Sequence, residues 1–351
     1  MIEHQLPDVD TPTAYDDVIT TGRTRARRRT AVIAAAAATV TALALAGLVA
    51  LHQDRKPEIV APPFSPVDLI AAETPAGLQL VDPRDGSERF APDKDGTYVS
   101  WSPDGGQIAY VVPASDDSSR DLWTASVTTQ VKHRVAHCAG CKVVAADWSP
   151  DGADLAYTVL LPNGRSELRV VAGGATGTMI ALGTGGWGWP QWSPDGTTIA
   201  LGEEQGARGF IDLLPVDRSP LRGPTPKAGP PQRIAGPIEG VKRLSWSPDG
   251  RRIAFTAGAQ DMTPGFTSDL YVVNADGSGT RQLTHSPTGT RIFAVEWETG
   301  NPDQPFLVSI AENGVDYSEA HLALVSSDGS RVAPVYAGGS TVKAFRAAYR
   351  F

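Results

Sequence analysis

The sequence predicts an all-β fold: a six-bladed β-propeller of four-stranded blades, closed by its N- and C-terminal strands and preceded by one transmembrane helix. Three observations carry this. The pentapeptide Trp-Ser-Pro-Asp-Gly starts at Trp101, Trp148, Trp192 and Trp246, with a degenerate copy at Trp297-Glu298-Thr299-Gly300. Glycine (36) and proline (28) are abundant among the 351 residues, and between short β-branched runs they signal many tight turns. Residues 31–51 carry no charge and are almost wholly Ala, Val, Leu, Ile, Thr and Gly.

The repeat sets the blade. Successive tryptophans stand 47, 44, 54 and 51 residues apart, a period that fits one four-stranded blade better than the shorter leucine-rich, ankyrin or tetratricopeptide units. In each copy an apolar run leads to the tryptophan, Ser-Pro-Asp-Gly makes the turn, and a second strand follows, such as Gln107–Tyr110, Asp154–Tyr157, Thr198–Leu201 or Arg252–Phe255. Proline presets φ near −65° and Asp-Gly completes the reversal, so the pentapeptide reads as a hairpin rather than a chemical site. A third strand is clearest at Asp269–Val273, followed by the turn Asn274–Gly277 and a fourth strand ending at Gln282–Thr284. This grammar resembles the TolB-like propeller family over about four fifths of the chain, residues 68–351. The resemblance is specific for fold and nearly silent on chemistry.

Closure follows from two orphans. Asp68–Ala72, Leu78–Val81 and Ser87–Phe90 read as the second, third and fourth strands of a blade with no tryptophan strand before them, while Thr341–Phe351 reads as a first strand with nothing behind it. Together they complete the sixth blade and hide two sheet edges.

Strand alternation sends every second side chain of each innermost strand toward the central channel. The residue before each tryptophan is Ser100, Asp147, Gln191, Ser245 or Glu296, with Arg346 in register if Val342 aligns with Val241. Two residues further back, nearer the mouth, stand Tyr98, Ala145, Trp189, Arg243 and Ala294. Trp187 and Trp189, among Gly183, Gly185, Gly186 and Gly188, read as aromatics on a loop at that mouth. Tyr98, Asp147, Trp187, Trp189, Arg243, Glu296 and Arg346 are therefore the candidate ligand- or partner-binding residues. The bland alternatives are a wet channel of paired charges and packing beneath the loop.

The turn carboxylates Asp104, Asp151, Asp195 and Asp249 recur once per blade, which fits backbone capping better than catalysis or calcium. The rim of nearly identical turns offers a partner little to discriminate, and the repeated tryptophans read as core between blades. No Ser-His-Asp spacing, phosphate loop or His-rich metal motif accompanies the channel row, so no catalytic residue, resident metal or cofactor is expected. Asp147 with Glu296 is the one acid–base pair worth testing.

His133, His137, Cys138 and Cys141 lie within nine residues. Outside the cytoplasm the two cysteines, the only ones in the chain, are expected to pair as Cys138–Cys141; zinc and free thiols are the other readings, and a thioredoxin-like role is the weakest.

Residues 1–30 read as a cytoplasmic arm, 31–51 as a transmembrane helix, 52–67 as a Pro-rich linker and 68–351 as the propeller. At about 1.5 Å per residue the apolar segment matches a hydrocarbon core about 30 Å thick. Arg23, Arg25, Arg27, Arg28 and Arg29 precede it, which places the N-terminus inside and the propeller outside. A cleavable export signal is the competing reading, since Ala44-Leu45-Ala46 resembles a cleavage site and Arg28-Arg29 a twin-arginine signal. A net charge of −8 argues against nucleic acid as partner.

The resemblance implies a rigid disc that binds proteins or peptides, or an accessory domain beside a hydrolase. No hydrolase segment follows the last strand, and the Ala, Arg and Gly usage points to an actinobacterial, membrane-anchored type. The expectation is thus a single-pass membrane protein whose extracytoplasmic propeller binds an envelope protein or peptide without catalysis. A channel enzyme acting on cell-wall glycan or peptide, and a sensor relaying to a cytoplasmic regulator, are the alternatives.

Overall fold

Each Ser-Pro-Asp-Gly turn is held by the same short-range bonds. The Asp104, Asp151, Asp195 and Asp249 carboxylates accept from the preceding serine hydroxyl at 2.6, 2.8, 2.6 and 2.6 Å and from the backbone N–H two residues on. The serine oxygens accept in turn from the backbone N–H of Gln107, Asp154, Thr198 and Arg252, which open the next strand. The glycine beginning the return has φ of +61°, +69°, +67° or +68°, a conformation that costs glycine alone nothing. The carboxylates are structural, as their recurrence suggests.

The computed structural model describes residues 69–74, 77–82, 87–115, 118–137, 140–172, 178–185, 187–205, 208–218, 227–258, 267–297, 306–311, 320–334, 336–337, 340–341 and 346–349. The chain divides into Met1–Ser65 and Pro66–Phe351, and all described residues lie in the second unit. The expected arm, apolar helix and most of the linker fall outside the described residues. Among those described, no helix is long and apolar enough to cross a membrane.

The described elements are antiparallel sheets. In the first, Ile70–Thr74, Gly77–Val81 and Glu88–Asp93 follow one another, and the C-terminal strand Arg346–Tyr349 pairs with Ile70–Glu73. The second contains Thr97–Trp101, Gln107–Pro113, Arg120–Ser126 and Lys132–Ala136; the third contains Lys142–Trp148, Asp154–Leu160, Ser166–Ala172 and Thr178–Gly185. A single parallel bridge, Arg120 to Lys142, links these two. The fourth runs Trp187–Trp192, Thr198–Gln205, Arg208–Asp217 and Gln232–Glu239, with the short strand Lys227–Ala228 against the end of its third strand. The fifth is Leu244–Trp246, Arg252–Gly258, Ser268–Asn274 and Arg281–Gln282, and the sixth Arg291–Trp297, Phe306–Ala311, His321–Val325 and Val332–Pro334. A small hairpin, Tyr336–Ala337 with Ser340–Thr341, precedes the last strand.

The first strands of successive sheets lie side by side. Thr97–Trp101 neighbours Lys142–Trp148, which neighbours Trp187–Trp192, and the series continues through Leu244–Trp246 and Arg291–Trp297 to Arg346–Tyr349, which returns to Thr97–Trp101.

Apolar clusters fill the spaces between sheets. Trp101 packs with Ala71, Leu78 and Leu80 of the first sheet; Trp148 with Ala109, Val111 and Leu122 of the second; Trp192 with Ala156, Leu168 and Val170 of the third. Trp246 meets Ala200 and Ile211, and Trp297 meets Ala254 and Leu270. Each repeated tryptophan therefore seals its own sheet against the one before it, the large-area burial aromatic rings provide best.

Two expectations are corrected here. Trp187–Trp192 is a strand rather than a loop: a bulge between Trp187 and Pro190 absorbs the glycine and proline, and the Gly188 carbonyl accepts from Thr158 Oγ1 at 2.6 Å. The pairing of Tyr349 with Ile70, like that of Trp101 with Ile108 and Trp246 with Ile253, puts Tyr349 at the tryptophan position. Arg346 thereby falls three residues before it, in the row of Tyr98, Trp189 and Arg243, opposite Glu73.

Candidate functional site

Five of the seven candidate side chains are interlinked. The Arg243 guanidinium lies 5.2 Å from the Tyr98 ring centroid and 5.4 Å from that of Trp189, so one cation touches aromatics from two other sheets. Arg243 also acts electrostatically on Glu296, and so does Asp147. Asp147 is bound on both oxygens: Oδ1 accepts from Ser100 Oγ at 3.1 Å and Oδ2 from the Trp192 backbone N–H at 2.7 Å. Ser245, two sheets on, accepts from the Trp297 backbone N–H at 2.9 Å. The row before the tryptophans thus stitches neighbouring first strands together.

Both acids are shifted upward. Burial pushes the Asp147 carboxyl up to about 7, although the hydrogen bonds from Trp192, Ser100 and Trp148 pull the other way. Burial, then the charge of Asp147, push Glu296 up to about 8, with Arg243 opposing. Each keeps partial solvent contact. A carboxyl that gives up its proton near neutrality in such a place can donate or accept one.

Glu73 was not apparent from the sequence. It is 5% exposed, and its carboxylate accepts from the Tyr98 backbone N–H. Tyr98 has φ +56°, a left-handed conformation costing an L residue about 1–2 kcal/mol. The buried acid holds a strained turn of chain that presents the tyrosine ring to Arg243. The signal available was one charge in an otherwise apolar strand, Ile-Ala-Ala-Glu-Thr, without a motif around it.

Of the remaining candidates, Trp187 lies opposite Glu203 and Arg346 opposite Glu73 in backbone register. Cys141 is disulfide-bonded, and Cys138 lies outside the described residues. His137 Nδ1 sits 3.0 Å from the Asp121 carboxylate, and no group of three or more His, Cys, Asp or Glu suited to a metal occurs among the described residues.

No protein-family model matches the chain. The Tol-Pal system protein TolB from two strains of Anaeromyxobacter dehalogenans is 35% and 34% identical over 98 residues, which is 28% of this chain and 19% of each relative. The chain thus spans about a fifth of the length of the curated relatives it matches. TolB from Acinetobacter baumannii superposes with a TM-score of 0.53 at 17% identity, over 81% of this chain and 66% of the other. A putative TolB from Agrobacterium tumefaciens gives 0.54 at 17%, over 77% and 87%. A nidogen/laminin complex gives 0.53 at 9%, over 78% of this chain and 92% of that one, a likeness of fold alone. The repeat, the strand order and the local identity make the chain similar to TolB-like β-propellers.

Proposed function

We propose that the six sheets are the blades of a closed propeller, held outside the cytoplasmic membrane by residues 31–51, which binds a protein or peptide of the cell envelope at its channel mouth without catalysis. One observation carries this reading: Arg243 between Tyr98 and Trp189, with Asp147 and Glu296 behind it. Aromatics and arginine dominate the energetics of recognition surfaces. The Trp189 Nε1–H is buried without a hydrogen-bond partner among the described residues. The unbroken succession of neighbouring first strands supports the closed ring, and the similarity to TolB supports a binding role.

Trp189→Ala with Arg243→Ala tests it. Cross-linking capture of the partner by the tethered protein should weaken by about 2 kcal/mol or more, roughly thirtyfold. The thermal midpoint should move by only a few degrees. Undiminished capture removes the mouth from consideration.

The raised carboxyls favour a second reading, a channel hydrolase or lyase acting on wall material. Release of fragments from purified cell wall, lost in Asp147→Asn, would establish it over the binding module.

A further inference from the structure

The spaces between blades on the Ser-Pro-Asp-Gly face have similar walls but different fillings. Between the third and fourth blades, Arg218 Nη2 donates to both Asp151 oxygens at 2.7 and 2.8 Å, to Asp154 Oδ2 at 2.9 Å and to Ser149 Oγ at 3.4 Å. Its guanidinium lies 5.5 Å from the Trp192 ring centroid. Arg218 Nη1 comes within 2.7 Å of where a Cβ on Gly196 would stand, so glycine leaves the cation its room. Between the fifth and sixth blades Arg252 lies 4.9 Å from the Trp297 ring centroid. Two of these tryptophans thus carry a guanidinium supplied by the chain itself.

The intervening space, between the fourth and fifth blades, holds an open cavity of about 490 Å³ lined by Ser193, Asp195, Thr198 and Trp246, with Asp249 and Gly250 on its other side. The first four are the counterparts of Ser149, Asp151, Asp154 and Trp192, the residues around Arg218. The pairings of Ile199 with Leu214 and of Ile253 with Val273 align Arg218 in sequence with Gly277, which ends the turn Asn274–Gly277, so that position supplies no guanidinium. Around Gly250 the nearest atom to a built Cβ is Pro194 Cδ at 3.8 Å, where its counterpart Gly196 meets Arg218. Asp195 and Asp249 are held below the usual carboxylate range, chiefly by the Ser193 and Ser247 hydroxyls, and so are charged at neutral pH.

We propose that this cavity is a guanidinium-binding site, which takes an arginine side chain of a partner polypeptide against Trp246 and Asp195 in the way the preceding space takes Arg218. A planar guanidinium can stack on the indole and bond in-plane to a carboxylate at once, which a lysine ammonium cannot. Thr198, standing for Asp154, makes the site one carboxylate weaker than its filled counterpart and therefore exchangeable. This site is separate from the channel mouth and stands independently of that reading.

The test uses the purified propeller-bearing protein titrated with the capped peptide acetyl-Gly-Arg-Gly-amide, with its lysine analogue and with free argininamide, following the Trp246 indole N–H resonance. The arginine peptide should bind saturably and the lysine peptide at least about fivefold more weakly. Asp195→Asn should abolish binding, and Thr198→Asp, which restores the second carboxylate, should tighten it on the order of fivefold. Because Asp195 also braces its turn, the predicted gain from Thr198→Asp keeps the test decisive if Asp195→Asn folds poorly. No saturable shift at Trp246, equal binding of the two peptides, or no gain in Thr198→Asp overturns the proposal. Binding of argininamide without binding of the capped peptide overturns the polypeptide as the source.

Discussion

At the scale of single residues, the channel acids give the protein a pH dependence whose sign is fixed by burial. Asp147 and Glu296 hold their protons to about 7 and 8 in the folded chain, against about 3.9 and 4.3 for unperturbed Asp and Glu. The folded state therefore binds more protons than the unfolded state across that interval, so stability from this pair is full below about pH 4 and is lost as pH rises through 7 and 8. Unfolding free energy should fall by several kcal/mol between pH 5 and 8. In Asp147→Asn with Glu296→Gln, urea titrations over the same range should show a flatter profile, the histidine contributions cancelling in the comparison. Identical slopes would mean that the pair is not buried as a coupled unit. The turn acids behave oppositely. Burial raises Asp151, but the hydrogen bonds from Arg218, Ser149 and Ala153 outweigh it and hold the carboxyl far below its ordinary range.

At the scale of elements, the closing strand is a non-local contact on which the first sheet depends. Arg346–Tyr349 covers the edge of Ile70–Glu73, and without it that strand would offer unpaired N–H and C=O groups to any passing chain. Deleting the residues after Ser340 should lower the thermal midpoint and produce soluble aggregates on gel filtration; a monomer of unchanged stability would show that the pairing contributes little. This clasp was legible because two strand runs lacked partners in sequence, and the blade boundaries because Trp-Ser-Pro-Asp-Gly repeats where each first strand ends. The register of the last strand was not legible. The segment Thr341–Phe351 has no turn motif to anchor it, so only the pairing of Tyr349 with Ile70 fixes Arg346 at the strand position of Tyr98 and Trp189 rather than at that of Asp147. Trp187–Trp192 was misread as a loop because its glycines and proline are turn residues, and a bulge that accommodates them leaves no trace in composition. The bridge from Arg218 to Asp151 was equally hidden: 67 residues separate the partners, and arginine after a strand is unremarkable until the fold brings it to the neighbouring turn.

At the scale of the whole molecule, location decides which chemistry is available, and two separate features argue for the outer side of the membrane. The arginines at 23, 25, 27, 28 and 29 precede a charge-free run of membrane-spanning length, and under the proposed reading the positive-inside rule puts the propeller outside. Cys141 is disulfide-bonded, and Cys138 is the only other cysteine in the chain; such a pair persists where no thiol pool reduces it. Both features make predictions in one preparation. Protease added to spheroplasts should digest the propeller and spare residues 1–30. Protein alkylated before extraction, without reductant, should carry no alkyl group on either cysteine in an intact-mass spectrum. A protected propeller with a cleaved N-terminus would reverse the orientation, and two alkylated thiols would place the propeller in a reducing compartment. The channel mouth and the guanidinium site would then face cytoplasmic partners, because the propeller carries both surfaces with it to whichever side it occupies.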